Sequence, residues 1–428
     1  MHTQPIYVFR EEWDSNTGFY RPSGESPNWN LRDEKNRYYY TFGEYLFERV
    51  EEFEEMLYKP LPGVEYVTID QIASLEKYLY VVRLYEPMYF FLQDKLGLDF
   101  LYSQVKQDIK TGKCKLVFLQ PFEGYTGVQE MVTRNDFKII QRWTDEENIP
   151  PSNVFYINAN LKSHITALNF DCRVNVIPVS MGETWVNVFN LPDEIPQFIP
   201  TDEKYLFTYY SRRPRTHRIF VAADLIRNEL FHLGKISFNP LEQYKHHELV
   251  ELDPTIIPYV DKLYNMSPIF IDRDNSGDDI TLYVPMEDYS STFIHLIGET
   301  LYSKDTLFTS EKTWKPISIG VPFITISSPG SLEWLKTQGF KTFDRWFDES
   351  YDLELDPYIR FSKITQLIKD FSKKPIKELK DIRNEMREVC EFNKSVMKER
   401  TKKLFYYDNG EFSQNKVIIE KLTEIYKN

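Results

Sequence analysis

Cysteine is almost absent. Three thiols, Cys114, Cys172 and Cys390, stand far apart in 428 residues, odd in number and without paired spacing. That pattern excludes a disulfide framework and a cysteine zinc site. Long apolar runs are lacking too. Tyr78 to Leu92 comes nearest to the roughly 18–20 residues that a membrane span needs, and Arg83 and Glu86 interrupt it. The opening Met1-His-Thr-Gln-Pro-Ile-Tyr-Val8 has no Lys or Arg ahead of an apolar core. No secretion signal is expected from it, and the chain reads as soluble and cytoplasmic. Neither Gly-x-Gly-x-x-Gly nor Gly-x-x-x-x-Gly-Lys-Ser/Thr occurs after a strand, and no Ser or Cys sits in a nucleophile elbow. His246-His247 has no partner at helical spacing, so no metal is expected there. Asp272, Asp274, Asp278 and Asp279 read as an acidic loop, because no convincing strand leads into them.

What the chain does have is core-forming material. It is 42% hydrophobic and 16% aromatic, with 31 Phe and 29 Tyr, so wholesale disorder is excluded. Its length is too great for one ordinary core and suggests two domains. A formal charge of −13 argues against a protein that coats nucleic acid or anionic membrane non-specifically. Residues 359–403 run against that balance, with 14 Lys and Arg against 7 Asp and Glu. They form either the solvated side of helices or a contact surface for an anionic partner.

Short apolar runs alternate with helical patterns along most of the chain. Helices are expected over Glu44 to Tyr58 and Ile69 to Lys95, where apolar residues recur at three and four. Strands are expected at Lys115–Leu119, Asn153–Ile157 and Val174–Pro178, with a helix from Val128 to Arg142. Residues 190–203 hold Pro192, Pro196 and Pro200 among acids and read as a linker. A second series follows: strands at Lys204–Tyr209, Lys235–Phe238 and Thr292–Ile297, a helix from Arg215 to Leu233, and helices from Arg360 onward. Such alternation is the mark of doubly wound parallel sheets. The expected architecture is α/β, with one domain over residues 1–195 and another over 204–428, the last helices able to return to the first domain.

The most specific stretch is Leu307-Phe-Thr-Ser-Glu-Lys-Thr-Trp-Lys-Pro-Ile-Ser-Ile-Gly-Val-Pro-Phe-Ile-Thr-Ile326. Thr309 or Ser310 can cap a helix whose first turn holds Glu311 and Lys312; Gly320 and Pro322 end it, and a β-branched buried strand follows. A helix start with a lysine is a good seat for an anion, and Glu311 can accept hydrogen bonds from sugar hydroxyls. This stretch resembles the nucleotide-sugar-binding segment of α-1,3-fucosyltransferases and related GT-B glycosyltransferases, through Ser310, Glu311, Lys312, Gly320 and Pro322. The resemblance extends over about residues 204–350. Trp314 and Pro316 depart from the usual spelling, which leaves the donor sugar open. The resemblance implies a GT-B-like fold of two Rossmann-like domains facing a central cleft. It also implies an inverting, metal-independent transfer from a nucleoside diphosphate sugar, with no cofactor.

In open α/β sheets ligands sit beyond the carboxyl ends of strands. Tyr210-Ser-Arg-Arg-Pro-Arg-Thr-His-Arg218 follows one strand, and forked guanidinium groups there suit a diphosphate. Arg212 and Arg215 are the expected contacts, with Arg218 a turn further and positioned to pair with acids. Glu299, after the next strand, either receives ribose or base donors or caps the following helix. In the first domain Glu123, after the Lys115–Leu119 strand, is the expected general base, with Glu183 its rival; Asn158 and Asn160 can hydrogen-bond an acceptor. Two acceptors compete, a glycan and a modified base in DNA of the kind phage-type glucosyltransferases use. A catalytically silent nucleotide-sugar or glycan-binding protein on the same fold is the alternative.

Overall fold

The computed structural model describes residues 5–9, 12–14, 19–21, 39–41, 63–84, 102–120, 136–180, 193–200, 205–211, 214–239, 246–269, 286–408 and 411–428. The helix expected over 44–58 lies outside them. Two compact units emerge, Met1–Met181 with Lys402–Asn428, and Gly182–Thr401.

The first unit is built on strands β1 (Ile6–Phe9), β2 (Glu12–Asp14), β3 (Phe19–Arg21), β4 (Tyr39–Thr41), β5 (Val64–Val67), β6 (Tyr78–Leu84), β7 (Cys114–Gln120), β8 (Val154–Asn158) and β9 (Asn175–Pro178). Six of them run parallel in the order β5-β1-β6-β7-β8-β9, with β4 antiparallel on β6 and β2 paired with β3 apart from the sheet. Helices α1 (Ile69–Ile72), α2 (Ser103–Thr111), α3 (Asp136–Glu146) and α4 (Ser163–Leu168) fall between strands. The long helix expected from Ile69 is therefore only one turn, and Tyr78–Leu84 is a strand. The reason is visible in the packing. Tyr78 and Tyr80 enter the core cluster that holds Val105, Ile109 and Trp143, whereas Leu79 and Val81 enter the one on the opposite face. A strand buried on both faces is a continuous apolar run with no visible alternation.

The second unit has a four-stranded parallel sheet of β10 (Phe207–Ser211), β11 (Gly234–Phe238), β12 (Ile294–Gly298) and β13 (Phe323–Ile326), in the order β11-β10-β12-β13. Around it lie α5 (Thr216–Arg227), α6 (His246–Leu252), α7 (Ile257–Met266), α8 (Met286–Ser291), α9 (Glu311–Ile319), α10 (Ser331–Thr337), α11 (Pro357–Ser372) and α12 (Ile376–Leu404). Residues 193–200 pack into this unit, with Ile195 and Phe198 in its core and the Ile199 N–H on the Ser290 carbonyl. Gly320 ends α9 at φ 87° in the left-handed region, where a side chain is strained. On α12, buried Leu379, Arg383, Met386, Cys390, Asn393, Met397 and Thr401 follow one another at steps of three or four, the stripe of a packed helix.

Beyond α12 the chain re-enters the first unit through the hairpin β14 (Phe405–Asp408) and β15 (Glu411–Asn415) and helix α13 (Lys416–Lys427). Ile418, Ile419, Leu422 and Ile425 of α13 cover the face that carries Val8, Leu79, Val81, Val117 and Leu119. Burying four such side chains contributes roughly 6–12 kcal/mol before the entropy of ordering the helix is subtracted. Among the described residues no helix is long and apolar enough to cross a membrane.

Candidate functional site

In the second sheet the chain leaves β10 for β11 on one side and returns as β12 on the other. The strand order reverses between β10 and β12, and ligands of open α/β sheets bind outside the carboxyl ends at such a point. Ser211 and Gly298 end these two strands. Pro214 and Arg215 lead from β10 into α5, and Glu299 follows β12 directly. Helix α9, in the crossover from β12 to β13, starts at this same edge. Two helix starts, those of α5 and α9, thus flank the reversal.

Glu299 ties these pieces together. Its carbonyl accepts from His217 Nε2 at 2.7 Å and from Arg218 Nε and Nη2 at 3.1 and 2.9 Å. Because a carbonyl only accepts, His217 carries its proton on Nε2. The Glu299 carboxylate accepts from the Ser310 N–H at 3.0 Å and the Thr313 hydroxyl at 2.6 Å on Oε1, and from the Ser310 hydroxyl at 2.7 Å and the Thr300 N–H at 3.1 Å on Oε2. Glu299 is buried, so these charge-assisted bonds act in a low dielectric. Arg218, also buried, has its pKa brought down to about 10, by burial first and then by the Arg215 charge. Its Nε and Nη2 donate to the Glu299 carbonyl, and the charges of Glu299 and Glu311 also act on it.

Ser310 is the N-cap of α9, and its oxygen accepts the Lys312 N–H at 3.2 Å. Lys312 Nζ reaches the same oxygen at 3.3 Å and pairs with the Glu311 carboxylate. Burial, the largest influence on Glu311, pushes its carboxyl up, yet the Lys312 charge and hydrogen bond with further help hold it below the usual range. Lys312 keeps 30% of its side chain exposed. Thr309 is buried beside the cap, and Arg215 is half-buried as the N-cap residue of α5. Arg212 lies outside the described residues. The structure thus brings together Arg215, Glu299, Thr309, Ser310, Glu311 and Lys312 around one strand reversal.

Comparison with known proteins adds little. No family model matches the chain, and no curated protein matches it. Among solved structures, the Glycosylation Associate Protein (Gap123) complex from Streptococcus agalactiae aligns at 10% identity and a TM-score of 0.25, over 76% of this chain and 54% of that one. The glycotransferase of kitacinnamycin aligns at 8% identity and a TM-score of 0.25, over 76% of this chain and 74% of that one. The chain therefore spans about half the length of the first of these. At such scores neither alignment carries an argument, and the site rests on its own geometry.

Sequence reasoning missed several neighbours of this site. Glu248 of α6 holds the Thr216 hydroxyl at the start of α5. The Tyr302 ring lies 4.7 Å from that of His217, and Arg360 donates to the Tyr302 and Glu354 carbonyls. Nothing local to Glu248 or Arg360 in the sequence marks them, since both reach the site across long chain separations. The basic run 359–403 is also partly accounted for. Arg360 and Arg383 are buried, and Lys373, Lys374 and Arg387 pair with Asp370, Glu378 and Glu391 on or beside their own helices.

Glu123 and Glu183 lie outside the described residues, and Glu183, expected in the first domain, falls within the span of the second unit. Asn158 and Asn160 are buried at the carboxyl end of β8. Asn158 donates to Gln120 Oε1 at 2.6 Å and Tyr156 Oη at 2.9 Å, and its own oxygen accepts the Asn160 N–H at 2.7 Å. Asn160 Oδ1 accepts the Lys162 N–H at 3.0 Å. Tyr156 also donates to Asp136, and burial first, then Asp136, raises its pKa. Asn158 and Asn160, read from the sequence as acceptor-side residues, are thus members of a buried hydrogen-bond network with Gln120 and Tyr156.

Proposed function

We propose that this chain is a glycosyltransferase of the GT-B plan that takes its sugar from a nucleoside diphosphate donor. One observation carries the reading: the strand reversal of the second sheet is flanked by two helix starts, one capped by Arg215 and the other bearing Lys312 over a Glu299–Ser310 clamp. The diphosphate takes the helix starts and these cations as its counter-charge, with Arg212 as a further contact. Glu311 turns its carboxylate to ribose hydroxyls once a phosphate competes for Lys312. Neutralising the leaving diphosphate is what displacement at an anomeric carbon asks of such a site. The resemblance to α-1,3-fucosyltransferases supports an inverting, metal-independent reaction. Glu123, or its rival Glu183, is the proposed general base, and the acceptor is a glycan or a modified base in DNA.

Calorimetric titration with nucleoside diphosphates, nucleosides and full donors tests this. Free diphosphate is expected to bind nearly as well as the donor, and nucleoside poorly. Lys312→Ala should weaken diphosphate binding by about 1.5–3 kcal/mol, roughly 10- to 150-fold. An unchanged dissociation constant in that variant removes the assignment. Binding without transfer to any acceptor points to the silent binding protein instead.

A further inference from the structure

We propose that Glu299 is a positioning residue for the Lys312 ammonium group and acts through the hydroxyl of Ser310. The consequence for ligand affinity rests on the donor-site reading above; the placement of the ammonium does not. The count of protons and lone pairs at Ser310 fixes the direction of each bond. A serine hydroxyl has one proton and two lone pairs. A carboxylate can only accept, so the 2.7 Å contact between Ser310 Oγ and Glu299 Oε2 takes that proton. Both lone pairs then face the other way, and both are used by Lys312, one by its N–H at 3.2 Å and one by Nζ at 3.3 Å. The Glu311 carboxylate is a further contact of the ammonium.

Glu299 is itself immobile. Ser310 N–H, Thr313 and Thr300 N–H hold its carboxylate, while His217 and Arg218 hold its carbonyl. Orientation therefore passes from the start of α5, through Glu299, to the cation at the start of α9. Glutamine has the same shape as glutamate but exchanges one acceptor oxygen for a donor NH2. Whichever way the amide is turned, that NH2 meets either the Ser310 N–H or the Thr300 N–H, and the clamp on the Ser310 proton is lost or weakened.

The test uses the full chain and two readouts. The first is acylation of lysines by a water-soluble acetylating ester, resolved by peptide mass spectrometry, with Lys336 of α10 as the internal reference. Lys312 is expected to react about threefold faster in Glu299→Gln and in Ser310→Ala, the scale of one lost hydrogen bond, and at the parent rate in Ser310→Thr, which keeps the hydroxyl. Thermal unfolding checks that each variant folds, and Ser310→Ala stands in if Glu299→Gln does not. The second readout is the dissociation constant for GDP and UDP. Glu299→Gln is expected to weaken binding about tenfold in the parent and no more than about twofold in a Lys312→Ala background, because its effect runs through that lysine. Unchanged Lys312 acylation in both variants overturns the proposal. So does an equal loss of affinity in the two backgrounds, which would make Glu299 a direct contact. Faster acylation with no nucleotide binding by the parent overturns the donor-site reading and leaves the positioning role standing.

Discussion

Two imidazoles of the second unit are sealed away and held neutral. His217 has its pKa lowered well below the ordinary value by burial and then by Arg218, and His295, bonded to Thr208 at 2.6 Å, is lowered to about 3 by burial and then by Lys315. In the unfolded chain both protonate near pH 6.5. A histidine whose folded pKa is depressed adds stability above the unfolded pKa, and that stability is lost as pH falls below it. The unit should therefore weaken from about pH 6.5 downward, with a slope approaching about 1.4 kcal/mol per pH unit for each ring. Hydrogen exchange of β10 and β12 between pH 7.5 and 5 reads this opening energy, after correction for the intrinsic rate. His295→Gln should remove about half of the slope. Protection independent of pH across that range would mean that the rings charge in place without cost.

Helix and strand boundaries decide what could be read in advance. The strands at β7, β8, β10 and β13 were legible because each is a short apolar run with a turn signal at its end. The start of α9 was legible through Ser310 and its end through Gly320. β6 was not, since two buried faces erase the period that separates strand from helix. Neither was the β14–β15 hairpin, whose polar Glu411-Phe-Ser-Gln-Asn415 lacks an apolar alternation. At the site, the positions of Arg215, Glu299 and Lys312 at element ends could be read, but not that Glu299 turns both oxygens inward, which depends on donors 11 and 14 residues away. The Gly320 cap allows a direct test. A Cβ there would stand 2.5 Å from Ile195 Cγ1, in addition to its left-handed backbone. Gly320→Ala should cost about 1–2 kcal/mol from the backbone and about 1–3 more from overlap. Pairing it with Ile195→Val, which trims Cδ1 but keeps a branched side chain, should recover part of the second amount and none of the first. Chemical denaturation of the two variants separates them, and equal losses would show that Ile195 simply moves aside.

At the scale of the whole molecule, the two units should respond separately to damage. Leu422 is fully buried in the core against the first sheet. Leu422→Ala should cost about 2–5 kcal/mol by transfer and cavity together. Hydrogen exchange should speed up in β1, β6, β7 and β8 and stay unchanged in β10 to β13. Equal acceleration in both sheets would make the units one cooperative block.

The path of the chain through these units also sets an order of events during synthesis. Residues 182–401 are contiguous, so their unit can close as soon as it is made. The first unit, though begun earlier, is without the α13 cover over one face of its sheet until residues 416–427 exist. At about 5–20 residues per second, that face waits on the order of tens of seconds after β9 is complete. Val8, Leu79, Val81 and Leu119 wait that long for their partners on α13. A nascent chain built this way gives a holding chaperone a target at its beginning, and it finishes its earliest portion last.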